Sequence, residues 1–391
     1  LADAVEVAEN AAPRVAFVVA GKLHVCLPGH APEPVESAFV NAVQERAREI
    51  QRRHAWKGAQ GGFGALAWGR QPQAPGTVHS LYTGLSRGPA PGTILYSLEV
   101  DRLGAVCSYD PATGNERRLL HGSERRMRDL CARAGGPEIA LSVLHPDGSG
   151  AIAVMSAEAT DLRELTEGDS VDLAPAWADD GTPRIVYQAA GVGRDGTGRP
   201  RGFGAFEIHA LDLRRGEVET LASEDGADLV QPRLGRDGAL YCLRRPRGAL
   251  RGTLAHGVKE ALLFVPRLFY ALFQYLNFFS ARYTGKPLTT AGGPQKKTDL
   301  RRMLEWANLA DADQGSQDAE EEAGRAPASH RIERRRDSGA PEVLETGVSA
   351  YDLAADGTLV FAAHGAIWAR TPDGRRTRLC DASGVEQLVT F

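Results

Sequence analysis

Three stretches of this sequence have spacings that chemistry could use. Gly84-Leu-Ser86-Arg-Gly88 has the G-x-S-x-G spacing that, on a strand–turn–helix corner, presents a serine hydroxyl for acyl transfer. Pro89-Ala-Pro91-Gly92 and a further strand pattern follow it, so the helix this corner needs is missing, and Ser86 reads as structural. Gly191-Val-Gly193-Arg-Asp-Gly196 has the glycine spacing of a dinucleotide loop, which places phosphates on a helix N-terminus. The Thr-Gly-Arg-Pro that follows cannot readily open such a helix. Asp311-Ala-Asp313-Gln-Gly315 with Glu322 approximates a calcium loop but lacks glycine at the sixth position, and reads better as a solvated acidic linker.

The ten histidines form no HExxH pair or similar ligand cluster, and His24 and His209 fall inside strand patterns. The five cysteines (Cys26, Cys107, Cys131, Cys242 and Cys380) are widely spaced and form no CxxC. Three of them sit in apolar strand runs, which implies buried reduced thiols. The expectation is therefore a protein without catalytic residues, metal or cofactor. A net charge of −4 gives no general attraction to nucleic acid, so no nucleic-acid partner is expected. Free thiols suit a reducing compartment, the cytoplasm, with the periplasm after removal of an export signal as the alternative.

The elements that would position any site recur along the chain. Leu173-Ala-Pro-Ala-Trp177-Ala-Asp-Asp-Gly181, Arg184-Ile-Val-Tyr187, Phe206–Asp212 and Gly216–Leu221 read as four successive strands, the first two joined by an Asp-Gly turn. The first-strand signal returns at Leu229–Gly238 and Val348–Gly357. A small-residue turn leading to a marker leucine returns at Leu119, Leu165, Leu221, Leu344 and Leu379. Units of roughly 40 residues suit an array of four-stranded blades. The first unit, in Arg14–Leu27, lacks an upstream strand, and the chain closes with a lone strand, Val385–Phe391. The fold class expected is all-β: a six-bladed β-propeller closed by the C-terminal strand joining the N-terminal blade, spanning 1–391.

Trp177-Ala-Asp-Asp-Gly181, Leu234-Gly-Arg-Asp-Gly238, His145-Pro-Asp-Gly148 and Thr371-Pro-Asp-Gly374 resemble the WD40-like repeat of TolB-type propellers. In the last two, the Pro-Asp-Gly turn follows the second and third strands of the unit rather than the first. The resemblance covers most of 90–245 and 345–391, and implies a docking platform for other proteins. In some relatives such a propeller gates a hydrolase domain, but this chain has no hydrolase-sized αβ segment.

Three stretches interrupt the repeat, and function concentrates on loops of a rigid scaffold. In 32–60, Glu36–His54 has a helical stripe of Phe39, Val43, Ala47 and Ile50. Ala189–Ala205 is rich in Gly and Arg and reads as a mobile loop between second and third strands. Arg247–Ser329 falls at the same place in the next unit, so the two should emerge side by side. It holds the apolar run Ala261–Phe279, which read as a helix has a ridge of Leu262, Val265, Phe269, Leu272, Leu276 and Phe279, with Phe273 adjoining. Six large side chains at roughly 1.5–3 kcal/mol each amount to on the order of 10 kcal/mol of burial free energy, close to the net stability of a whole domain. Such a surface needs cover. The propeller or a second helix at Asp299–Leu309, carrying Trp306, could supply it; so could a protein partner, or a membrane surface met through 258–282. A full membrane span is disfavoured by Pro266, Arg267, Gln274 and Asn277.

The leading expectation is a non-catalytic protein-interaction scaffold, a subunit of a larger complex. Its partner-binding element is the insertion 258–309, through Leu262, Val265, Phe269, Leu272, Phe273, Leu276, Phe279 and Trp306. The alternatives are a small-ligand or hydrolytic propeller using its central channel, where Asp172, Gln231 and Tyr351 are candidates, and a peripheral membrane protein. The run Arg331, Arg334, Arg335 and Arg336 reads as a solvated strand edge.

Overall fold

Apolar–polar alternation broken by Gly-containing turns folds the chain into short antiparallel strands. The computed structural model describes residues 12–59, 80–247 and 326–391, less 101–102, 124, 159–160, 179–181, 197 and 337–338. These belong to one compact unit; a second, Arg247–Gln314, coincides with the long insertion and falls almost wholly outside the described residues.

β1 (Val15–Val19), β2 (Lys22–Cys26) and β3 (Glu33–Pro34) form a sheet with the last strand of the chain, β25 (Val385–Thr390). The register sets Phe17 opposite Leu388 and Val15 opposite Thr390. A helix, α1 (Ala38–Ala59), follows. β4 (Ser80–Arg87), β5 (Ile94–Val100), β6 (Leu103–Asp110) and β7 (Asn115–Gly122) make the next sheet in simple sequence order.

β8 (Arg126–Ala132), β9 (Glu138–Leu144), β10 (Gly150–Ser156) and β11 (Leu162–Glu164) pair in the same meander. One parallel bridge, Gly150 to Val171, joins them to β12 (Ser170–Trp177), β13 (Arg184–Arg194), β14 (Pro200–Phe203), β15 (Glu207–Asp212) and β16 (Glu217–Ala222). The last two sheets are β17 (Ala227–Leu234), β18 (Leu240–Pro246), β19 (Arg331–Arg335) and β20 (Glu342–Thr346), then β21 (Val348–Leu353), β22 (Leu359–Ala363), β23 (Ala366–Arg370) and β24 (Arg376–Asp381).

Successive sheets are glued by apolar layers. Ala16, Leu23, Ile94 and Tyr96 pack between the first two, and Leu95, Val106, Ile139 and Leu141 between the second and third. Ile152, Trp177, Ile185 and Tyr187 join the third and fourth. Phe17, Leu388, Val360 and Ile367 join the first sheet to the last.

The first strands carry β-bulges at matching places: Tyr82/Gly84, Arg128/Cys131, Leu173/Ala176, Val230/Arg233 and Val348/Ala350. At three of them Asp129, Ala174 and Gln231 adopt φ of 49°, 51° and 54°. A bulge sharpens the local twist and frees one residue from the ladder.

The helix begins at Ala38 rather than Glu36, because Ser37 and Glu116 end it there. Ser37 Oγ accepts the Val40 amide at 3.3 Å, while the Glu116 carboxylate, from β7, accepts the Ala38 and Phe39 amides at 3.0 Å each. Negative charge at this end complements the exposed N–H groups. Phe39 and Val40 are buried and Val43 packs beside them; the side chains of Ala47 and Ile50 lie outside the described set. The stretch 189–205 is not a plain loop. β13 runs on to Arg194, and β14 folds back on it through Val192↔Phe203 and Gly193↔Gly202. Arg194 clamps the hairpin, donating to Asp169 at 2.7 Å, to the Asp147 carbonyl at 2.8 Å and to the Gly198 carbonyl at 3.1 Å.

Candidate functional site

Three polar places stand out: the junction of the first strands, the root of the long insertion, and a cleft over the fourth sheet. At the first, β25, β4, β8, β12, β17 and β21 touch one another in that order, and β21 touches β25 again. A pocket among them, lined by Ser86, Arg87, Cys131, Trp177, Arg233 and Asp352 among others, has about 20 Å³, room for one water. Arg233 Nε sits 3.0 Å from Asp352, whose other oxygen accepts the Thr390 amide at 2.9 Å and hydroxyl at 3.0 Å. Burial opposes the charge on Arg233, but Asp352 outweighs it and holds the guanidinium firmly protonated. Trp177 Nε1 donates to the Cys131 carbonyl at 3.1 Å, and Ser86 Oγ accepts the Ala132 amide at 3.1 Å. Ser86 is therefore a strand-to-strand tie within β4, 4% exposed, and no nucleophile corner forms around it.

At the second place, Arg244 of β18 and Arg331 of β19 are register partners, so the insertion leaves and re-enters at adjacent points of one sheet. Glu333 is fully buried there, 2.7 Å from Arg331, 2.6 Å from Arg335 and 3.8 Å from Arg244. Glu224, from the link between β16 and β17, adds contacts of 2.5 Å to Arg244 and 2.7 Å to Arg335. Hydrogen bonding from Arg244, then from Arg335, holds the Glu224 carboxyl below its ordinary value against the effect of burial. Arg334 pairs with Asp237 and, at 3.7 Å, Glu342. Of the arginine run expected to be a solvated edge, Arg331, Arg334 and Arg335 thus lie on an interior strand with matched charges, while Arg336, just past the strand, is exposed as expected. The sequence hid this because Glu224 and Asp237 arrive from elsewhere in the chain. Beside it, burial and then Arg245 push the His330 imidazole down to about 4.

The third place is a cavity of about 660 Å³ bounded by β12, β13, β15 and the segment after β11. Asp172 (4% exposed) accepts the Ser170 hydroxyl at 2.9 Å. Burial raises its carboxyl above the ordinary value, with Thr166, Ser170 and His209 acting the other way. Tyr187, raised by burial and by Asp172, lies 5.7 Å ring to ring from His209. His209 Nε2 is 3.8 Å from Glu207, and its Nδ1 is 3.1 Å from the Thr220 hydroxyl. The sequence pattern placed His209 on a strand correctly; what it could not give is the neighbouring strands that set Asp172 and Tyr187 beside it.

Two of the three channel candidates meet and the third stands apart. Tyr351 donates to the Gln231 carbonyl at 2.7 Å, the Gln231 amide donates to Gln188 at 2.7 Å, and Asp172 lies in the separate cleft. The partner-binding candidates Leu262, Val265, Phe269, Leu272, Phe273, Leu276, Phe279 and Trp306 lie outside the described residues. Among the described residues no three His, Cys, Asp or Glu side chains are grouped to hold a metal, and no helix is long and apolar enough to cross a membrane.

No family model and no curated protein matches the chain by sequence. Solved structures do match by shape. TolB from Acinetobacter baumannii superposes with a TM-score of 0.51 at 13% identity, over 97% of this chain and 66% of that one. The chain therefore spans just under two thirds of that protein's length. A chain of a nidogen–laminin complex superposes with a TM-score of 0.51 at 8% identity, over 97% of this chain and 98% of that one. These likenesses, with four four-stranded sheets and one nine-stranded sheet following one another along the chain, make the fold a TolB-like β-propeller.

Proposed function

We propose that the chain is a non-catalytic protein-interaction scaffold: a closed ring of six four-stranded blades that presents the insertion between β18 and β19 to a partner protein. The observation that carries this reading is the root of the insertion. Arg244 and Arg331 face each other across one strand pair, and the buried Glu333 with three arginines fixes both ends. A rigid root is what a docking element needs, because ordering entropy spent in folding is not spent again on binding. The cyclic contacts of the first strands and the Phe17–Leu388 pairing support the closed ring. On this reading Leu262, Val265, Phe269, Leu272, Phe273, Leu276, Phe279 and Trp306 form the contact surface, and the partner supplies the cover their apolar area needs.

The test replaces 258–309 by a short Gly/Ser linker and compares proteins recovered on the tagged chain from its native host. The expected result is a folded chain that has lost a stoichiometric partner retained by the full chain. Recovery of the same partner in equal yield would sink the proposal.

A further inference from the structure

We propose that the cleft over β12, β13 and β15 binds an organic cation, a molecule or side chain that carries an ammonium or guanidinium group on a short alkyl stem. A cavity of about 660 Å³ has the size of a small-molecule site. Its lining includes Glu167, Asp172 and Glu207 but no Lys or Arg, and His209 is its one basic group. Asp172 is 4% exposed and lines the cavity; the Ser170 and Thr166 hydroxyls and nearby His209 act on it, and no Lys or Arg pairs with it among the described residues. A carboxylate taken out of water without a cation is costly, so an entering cation gains the interaction that the fold withholds. Tyr187 offers an aromatic ring close by, which attracts a cation over its face.

Among the described residues no three His, Cys, Asp or Glu side chains are grouped to hold a metal, and the cleft has the volume of an organic molecule. The floor is made of small residues, Ala189, Gly191, Gly204 and Ala205, which leave an alkyl stem room to lie. A Cβ placed on Gly191 meets nothing within 4 Å, so that position opens on free space and can carry a larger side chain without a clash at its base.

Titration calorimetry on the full chain tests this with four probes: agmatine, cadaverine, and blocked tripeptides with a central Arg or Lys. Saturable binding of at least one probe is expected, at least tenfold weaker in Asp172→Asn and lost in Gly191→Leu, which fills the cleft from its floor. Binding of the tripeptides as well as the free amines assigns the site to a partner's side chain; binding of the free amines alone assigns it to a small molecule. Thermal unfolding of each variant checks the fold, and Gly191→Leu decides the matter if Asp172→Asn does not fold. No saturable binding by any probe, or binding unchanged in the folded variants, would overturn the proposal. Because these probes do not involve 258–309, either outcome is independent of the scaffold reading.

Discussion

Arg233 of β17 and Asp352 of β21 meet at 3.0 Å, and the same carboxylate ties down Thr390 of β25. One side chain therefore links the sheet of β17–β20, the sheet of β21–β24 and the strand that pairs with the N-terminal sheet. Asp352→Ala strips the buried guanidinium of its counter-charge and leaves the Thr390 amide unmet. The expected loss is about 3–5 kcal/mol in urea unfolding. The double variant Arg233→Met/Asp352→Ala should lose less than the two single losses added together, which a double-mutant cycle reads directly.

Glu116 does two jobs at the start of α1: it caps the Ala38 and Phe39 amides and accepts the Tyr96 hydroxyl at 2.6 Å. Glu116→Ala should cost about 1–2 kcal/mol, the upper range for a lost helix cap. Hydrogen exchange should speed up at Ala38–Val40 while the strands of the other sheets keep their protection. Uniform acceleration across the chain would refute a local role.

Glu224 links stability to pH. Its folded carboxyl titrates below the ordinary 4.5, so the folded state holds fewer protons than the unfolded state around that value. Its contribution is present above pH 4.5 and lost as pH falls through the lower, folded value. Urea midpoints measured between pH 7 and pH 3 should therefore fall less steeply in Glu224→Gln than in the parent. An equal slope would show that Arg244 and Arg335 do not favour the ionised form.

Burial pushes the thiols of Cys107, Cys242 and Cys380 up to about 12. Neighbouring Cys26 adds to the effect at Cys380, and the two pack in one apolar layer between the first and last sheets. The thiolate is the reactive form. Ellman's reagent at pH 8 should leave these three unmodified over minutes in the native chain and titrate all five cysteines in guanidinium. Rapid native modification of Cys107, which is fully buried, would contradict the packing described.

Much of the strand order could be read from residues whose local chemistry decides it. Asp237-Gly238 and Asp356-Gly357 supply φ of 74° and 86° at their glycines, and each joins a first strand to its second. The lone strand expected at Val385–Phe391 and the two strands expected in Arg14–Leu27 without one before them were complementary halves, and they pair; the short third strand Glu33–Pro34 was not read from the sequence. What escaped was non-local. β4 hid under the G-x-S-x-G spacing, and β8, Arg126–Ala132, carries so many charges that its apolar face was not apparent. The β13–β14 hairpin looked like a loop because its glycines signal flexibility, while Asp147 and Asp169, which anchor Arg194, come from outside it. The cleft of Asp172, Tyr187 and His209 depends on three strands lying side by side, which no single segment announces.

The scaffold reading is tested most directly by hydrogen–deuterium exchange on the full chain, free and bound to its captured partner. The account predicts new protection concentrated in 258–309, at peptides carrying Phe269, Leu272, Phe273 and Trp306, with the strands around Arg233 and Asp352 unchanged. Protection appearing on the sheets instead, with 258–309 exchanging as in the free chain, would contradict it.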